Sequence, residues 1–209
     1  MKPPLSAESF FATLSVPRDV AARLAVYADL LRRWQPRINL VGSATLDDLW
    51  RRHFHDSAQL LPWLGPGPLL DLGSGAGFPG LVLAILRAAD ADTHLVESDG
   101  RKVAFLREVA RATGTRVILH PCRIEQLPAF PVDPVTARAL APLTRLLQMA
   151  APFLSPASQC LFLKGQKLED ELTDAGKDWK MRVERIPSHS DPDGIILRVK
   201  EVYRGRVVS

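Results

Sequence analysis

The residues best suited to chemistry lie in one stretch, Leu69-Leu70-Asp71-Leu72-Gly73-Ser74-Gly75-Ala76-Gly77-Phe78-Pro79-Gly80. An apolar strand runs into an acidic residue, then glycines at alternate positions, then a helix start. Pro79 suits the first helical turn, where its missing N–H costs nothing. Glycines at a strand-to-helix turn let the backbone approach a ligand, and a helix N-terminus turns free N–H groups and partial positive charge toward it. The stretch predicts a site for a nucleoside-type cofactor.

Gly75 to Gly80 also fits the dinucleotide pattern G-x-G-x-x-G, a weak signal by itself. Asp71 argues against a dinucleotide, because a carboxylate beside a pyrophosphate is repelled, and the chain offers no second nucleotide-binding half. S-adenosylmethionine carries a sulfonium and an ammonium and no phosphate. It tolerates or wants the carboxylate, and acidic-x-Gly-x-Gly-x-Gly is the pattern such methyltransferases show. Glu97 ends the next strand, Leu95-Val96-Glu97, about 20 residues after the loop, where it can accept hydrogen bonds from both ribose hydroxyls. The third strand leads into Cys122-Arg123-Ile124-Glu125, a turn expected to pass the adenine.

Other reactive residues fit less well. Cys122 and Cys160 are in no metal-like spacing and read as reduced thiols. Cys122 follows the third strand, which is the wrong place for a nucleophile attacking a base. His53 and His55 in Arg52-His53-Phe54-His55-Asp56 point to different sides of a helix, since successive residues turn by about 100°, so no metal is expected. Arg52 and Asp56, at i,i+4, can pair on the helix surface. Arg138 ends the fourth strand, where a target meets the cofactor. It can hold the cofactor carboxylate or a guanine O6, or else pair with Asp133 or another nearby carboxylate. Lys164, ending the fifth strand, is either a phosphate or RNA contact or a solvated strand end.

The elements that must position these residues fall into two parts, a helical extension at 1–64 and a Rossmann-like core at 65–209. In the extension Ser6 caps a short helix through Phe10, Phe11 and Leu14. Pro17 opens a second helix, with Val20, Leu24, Tyr27, Leu31 and Trp34 on one stripe, and Pro36 ends it. A third helix is expected from Thr45, capped against Asp48 and running to Pro62. From Leu69 strands and helices alternate. Strands are expected at Leu69–Leu72, Thr93–Glu97, Arg116–His120, Val135–Ala137, Gln159–Leu163, Arg182–Ile186 and Ile195–Val202. Helices are expected near Gly80–Ala89, Arg101–Thr113, Leu143–Phe153 and Lys167–Trp179. Such alternation predicts an α/β fold with a mostly parallel sheet covered on both faces. The last two strands lack a helix between them and should form an antiparallel hairpin.

Composition agrees with an ordinary globular protein of 209 residues, 46% hydrophobic and 24% charged. The apolar run Leu81 to Leu86 is far short of the ~20 residues a membrane span needs, and the N-terminus lacks a signal-like apolar run. A cytoplasmic monomer is expected. A net charge of +4 permits a nucleic-acid partner without demanding one.

Several motifs together carry a closer resemblance. These are Trp34 with Ile38-Asn39-Leu40, Arg52-His53-Phe54-His55-Asp56-Ser57, Asp71 to Gly80, Val96-Glu97-Ser98, Arg123-Ile124-Glu125, Thr136-Ala137-Arg138-Ala139 and Lys164-Gly165. Over nearly its whole length the chain resembles the glucose-inhibited division protein B family, bacterial methyltransferases of guanine N7 in small-subunit rRNA. The resemblance implies a class I S-adenosylmethionine-dependent methyltransferase with a seven-stranded sheet, acting on 16S rRNA or the small ribosomal subunit near the decoding centre. It implies cofactor contacts at Gly73, Phe78, Ile124, Glu125 and Arg138, beside Gly75 and Glu97, which are read from the loop and the strand end. The helix around Arg52 is implied to cover the pocket, with Asn39 beside it; Asn39, Arg52 and Lys164 are the candidate RNA contacts. The chain departs from the family at Ser98-Asp99-Gly100-Arg101-Lys102, where relatives are richer in lysine and Gly100 should loosen the helix start.

The residues suit N7 chemistry by what they omit. Guanine N7 has an in-plane lone pair and needs no deprotonation, so positioning and charge management suffice. Amino-group methyltransferases place an Asp/Asn-Pro-Pro-aromatic turn after the fourth strand; here the turn is Ala137-Arg138-Ala139-Leu140-Ala141-Pro142. Two alternatives stand beside this reading: a small-molecule methyltransferase of the same fold, marked by an apolar lid, and a non-catalytic S-adenosylmethionine-binding ribosome-assembly factor.

Overall fold

A computed structural model describes residues 3–87 and 91–205. One seven-stranded sheet runs through it in the order β3-β2-β1-β4-β5-β7-β6. The strands are β1 (Leu69–Leu72), β2 (Thr93–Val96), β3 (Ile118–His120), β4 (Val135–Arg138), β5 (Gln159–Lys164), β6 (Trp179–Pro187) and β7 (Ile195–Arg204). The first five pair in parallel, and β7 inserts antiparallel between β5 and β6. All four residues of the central β1 are buried, as a strand covered on both faces requires.

Helices α4 (Gly80–Leu86) and α5 (Gly100–Thr113) cover one face of the sheet, and α6 (Leu143–Ala150) and α7 (Leu168–Asp178) pack into the other hydrophobic cluster. The expected helix end at residues 88 and 89 lies outside the described residues. Trp179, expected at a helix end, begins β6 instead. Asp99 caps α5 by accepting from the N–H groups of Arg101 (2.8 Å) and Lys102 (3.3 Å). This corrects the loose helix start expected at Gly100, because the cap supplies what the glycine forgoes. No described helix is long and apolar enough to cross a membrane.

In the extension, α1 (Ala7–Thr13) is capped by Ser6 through the Ser9 N–H, and α2 (Arg18–Trp34) stops before Pro36. The third helix is not the capped one expected. Ser43–Thr45 is a 3-10 turn, Trp50–His55 a π-helical turn, and only α3 (Asp56–Ala58) is α-helical. Thr45 does not cap, because it lies within the 3-10 turn; its hydroxyl donates to the Gly42 carbonyl at 2.6 Å and meets His53 Nε2 at 2.7 Å. The Asp48 carboxylate is taken by the Leu5 N–H at 2.8 Å. Phe10, Tyr27, Trp50 and Phe54 of the extension share one buried cluster with Phe78, Leu81 and Phe105. The extension therefore packs directly onto the glycine loop and α5.

Candidate active site

Strand order reverses between β1 and β4, and in open α/β sheets ligands sit at the carboxyl ends of strands beside such a switch. The loops leaving β1, β2, β3 and β4 converge there around a cavity of about 390 Å³. Gly73, Gly75, Phe78, Glu97, Ile124, Glu125 and Arg138 all line it. A second cavity, of about 700 Å³, adjoins it and shares Leu40, Arg138, Ala139 and Leu140 as a common wall. The second mixes apolar and polar lining, with Arg52, Asp56, Lys164, Glu171 and Asp191 among its charged groups.

Two glycines of the stretch, Gly75 and Gly80, are there for different reasons. Gly75, at φ +57°, has room for a Cβ, which would make only van der Waals contact with the Gly73 carbonyl oxygen at 3.8 Å. It is the position where backbone faces the cavity unobstructed. A Cβ on Gly80 would lie 2.5 Å from Leu95 and 2.6 Å from Asp71 Cβ, so this glycine serves close packing of α4 on the sheet.

Asp71 does not face the cavity. It is fully buried, accepts from Thr136 Oγ1 (2.8 Å) and receives the Gly80 N–H (3.2 Å). Burial pushes its pKa from 3.8 up to about 6, against those hydrogen bonds and Arg138. The expectation that Asp71 meets the ligand is corrected: it braces the loop from behind. The same bond consumes a leading N–H of α4, so the helix start does not present a free anion cradle either.

Glu97 does face the cavity. Its Oε2 accepts from the Gly75 N–H at 2.9 Å and its Oε1 from the Asp99 N–H at 2.7 Å. A carboxylate has about four acceptor sites, so these two bonds pin the group and leave a lone pair on each oxygen for a vicinal diol. Ile124 and Glu125 start a 3-10 turn along the cavity edge, and Glu125 is half-exposed and paired with Arg145.

Phe78 carries the junction with the extension. It is buried, stacks on Tyr27 (5.4 Å), packs edge-on against Phe54 (5.4 Å) and lies 5.0 Å from the His53 ring. The Tyr27 hydroxyl donates to the Ala76 carbonyl in the loop itself, and burial raises its pKa well above the usual tyrosine value.

Arg138 lies with its guanidinium 4.9 Å over the Phe78 ring. It donates to the Arg52 carbonyl (3.1 Å), the Asp56 carboxylate (3.3 Å) and His53 Nδ1 (2.9 Å). The alternative of a pairing with Asp133 or another nearby carboxylate is met by Asp56. Arg52, expected to pair with Asp56 one turn on, reaches Asp191 at 2.6 Å instead. The next residue after Arg138, Ala139, has φ +50°, a conformation that costs a non-glycine residue about 1–3 kcal/mol and clusters at functional sites.

The candidate RNA contacts are dispersed. Lys164 lines the second cavity but is only 8% exposed, paired with Glu171 at 2.5 Å and bonded to the Ala141 carbonyl at 3.1 Å. It is neither a free phosphate ligand nor a solvated strand end. Asn39 is exposed outside both cavities, where Gln35 Nε2 donates to it at 3.3 Å. Arg52 lines the second cavity beside the hairpin loop that carries Asp191. His53, Asp56 and Tyr27 stand at the site without having been expected there, although the motif and the helical stripe that carry them are visible in the sequence.

The sequence profile of a family described as rRNA small subunit methyltransferase G matches residues 21–194. A ribosomal RNA small subunit methyltransferase G of Rhodospirillum rubrum is 60% identical over 203 residues, covering 96% of this chain and 100% of the relative. One from Rhodospirillum centenum is 56% identical over 202 residues, 96% of this chain and 93% of the relative. Among solved structures, a SAM-dependent methyltransferase from Aquifex aeolicus superposes with a TM-score of 0.56 at 19% identity, over 76% of this chain and 95% of that one. Fibrillarin from Aeropyrum pernix, solved with natively bound S-adenosyl-L-methionine, gives 0.53 at 16% identity, over 68% and 72%. These structural likenesses establish the fold, a class I methyltransferase core.

Proposed function

The chain belongs to the rRNA small subunit methyltransferase G family, and from this premise we propose that it methylates N7 of one guanine in 16S rRNA, near the decoding centre. Its cofactor is S-adenosylmethionine. The cavity fits that group: Glu97 offers two lone pairs to a diol, while the loop lacks the free helix N-terminus a pyrophosphate would want. When bound, S-adenosylmethionine supplies a methyl group on a sulfonium, open to in-line displacement.

In this reading Glu97 holds the ribose, Ile124 and the turn before Glu125 take the adenine, and Gly73 and Gly75 give backbone surface. Phe78 backs the loop. The observation that carries the assignment is the wall shared by two adjoining cavities, with Arg138 on it. Arg138 faces the cofactor's carboxylate end on one side and guanine O6 on the other. Contact at O6 alone leaves N7 free to attack. The N7 lone pair forms the new bond to carbon, the carbon–sulfur pair returns to sulfur, and the positive charge passes to the base. No protein group has to remove a proton. Cys122 lines the first cavity and not the second, so it does not face the target.

We place the functional division between residues 64 and 65, with the extension walling the target side and the core holding the cofactor. We take the working form to be a cytoplasmic monomer. The ion pairs Arg52–Asp191, Arg138–Asp56 and Lys164–Glu171 around the second cavity are not the apolar lid that the small-molecule alternative calls for. Incubation with methyl-labelled S-adenosylmethionine and unmodified small subunits or naked 16S rRNA tests the reading. Label on rRNA supports it; label only on protein or a metabolite sinks it, and cofactor binding without turnover favours an assembly factor.

A further inference from the structure

The histidine-bearing turn on the target-side wall has a geometry of its own. Residues Trp50–His55 are π-helical, a form found mostly as single turns at functional sites. The Asp56 N–H reaches the carbonyls of Arg51 and His53 and passes over that of Arg52, which accepts from Arg138 Nη1. Within the same turn the Asp56 carboxylate also accepts from Nη1, and the His53 ring accepts from Nη2. One short turn thus grips one guanidinium at three points.

The protons settle the state of the ring. Arginine only donates, so His53 Nδ1 is a bare acceptor. Nε2 then carries the hydrogen and donates to Thr45 Oγ1 (2.7 Å), and Thr45 donates onward to the Gly42 carbonyl (2.6 Å). His53 is 7% exposed; burial first, then Arg138 and Arg52, lower its pKa to about 3. Both ring nitrogens are committed, so His53 has no polar atom left for substrate, although it lines the second cavity.

We propose that His53 is a positioning residue: as the Nε2–H tautomer, wedged between Thr45 and Arg138, it fixes the Arg138 guanidinium on the wall between the cavities. Of five guanidinium N–H groups three are held, by Arg52, Asp56 and His53, which leaves two for cofactor and guanine. His53 acts only through Arg138. The inference rests on the reading of Arg138 as the residue facing both ligands.

The test is a double-mutant cycle on single-turnover methyl transfer to rRNA, with S-adenosylmethionine affinity measured separately. Misplacing a reacting group by an ångström costs up to about 10²-fold, so His53→Leu should slow transfer by about 10- to 100-fold. His53→Asn, whose carboxamide oxygen stands where Nδ1 does and can accept from Arg138, should recover part of the rate. In the Arg138→Ala background His53→Leu should cost nothing more, since coupled residues are not additive. An equal loss in both backgrounds, or no rescue by His53→Asn, overturns the proposal. Full activity of Arg138→Ala would instead overturn the reading of Arg138 itself. Should His53→Leu fail to fold by circular dichroism, Thr45→Val, which frees the Nε2 proton, replaces it in the cycle: a loss confined to the Arg138 background supports the proposal, and an equal loss in both overturns it.

Discussion

Replacing Tyr27 with phenylalanine removes one oxygen from the junction between α2 and the glycine loop. The ring keeps its stack on Phe78 at 5.4 Å and its edge contact with Phe54 at 5.2 Å. The substitution therefore isolates the hydroxyl's bond to the Ala76 carbonyl, both residues being buried. A buried carbonyl left without its donor costs about 1–3 kcal/mol. For a chain of this size each kcal/mol is worth about 2–4 °C, so the ligand-free protein should melt about 2–12 °C lower. Cofactor binding must then re-order a looser loop, which should weaken affinity by up to about 10-fold, or 1.4 kcal/mol. The rate at saturating cofactor should stay within about two-fold, because the hydroxyl makes no transition-state contact. Thermal unfolding by circular dichroism and titration calorimetry read these quantities. Unchanged melting with unchanged affinity would refute the brace. A loss of affinity of about 100-fold with unchanged melting would show that the hydroxyl meets the ligand directly, since about 2.7 kcal/mol then goes to binding alone.

Glu97→Ala removes charge-assisted bonds worth about 1.5–3 kcal/mol each; calorimetry should show S-adenosylmethionine binding at least about 10-fold weaker, with native circular dichroism, and an unchanged dissociation constant contradicts the ribose role. Asp71 should give stability that rises on acidification. Its pKa is raised from 3.8 to about 6, so between those values the folded chain holds a proton the unfolded chain lacks. Relative to Asp71→Asn, the wild type should gain about 2 kcal/mol between pH 7 and pH 4 at 1.36 kcal/mol per pH unit, measured by denaturant unfolding at each pH; a flat difference would mean Asp71 is solvated.

What is legible in the sequence is what local rules decide. The four buried residues of β1 read as a strand because a parallel strand is apolar on both faces. Pro36 ends α2 and Ser6 caps α1 because both effects act within a few residues. Gly75 and Glu97 are legible because a turn that needs φ > 0 and an acid at the next strand end leave marks at fixed spacing. Distant partners leave none. The Thr45 capping box fails because Thr45 sits inside a 3-10 turn with its hydroxyl between Gly42 and His53, and the π-helical turn meets Arg138, 86 residues from Arg52. Arg52 finds Asp191, 139 residues away, in place of the local Asp56. Asp71 is prominent in the sequence yet turns away from the ligand, since spacing does not say which of two nearby N–H groups or ligands a carboxylate will serve. Lys164 escapes a sequence reading for the same reason: its partner Glu171 lies on another element.

The most direct measurement maps the product. Unmodified small subunits or naked 16S rRNA are treated with enzyme and methyl-labelled S-adenosylmethionine, digested to nucleosides and resolved by chromatography and mass spectrometry, with the labelled position located on the rRNA. The account predicts label in N7-methylguanosine at a single site, lost with Arg138→Ala. Label on an exocyclic amino group, on a pyrimidine carbon, or on no rRNA nucleotide would contradict it.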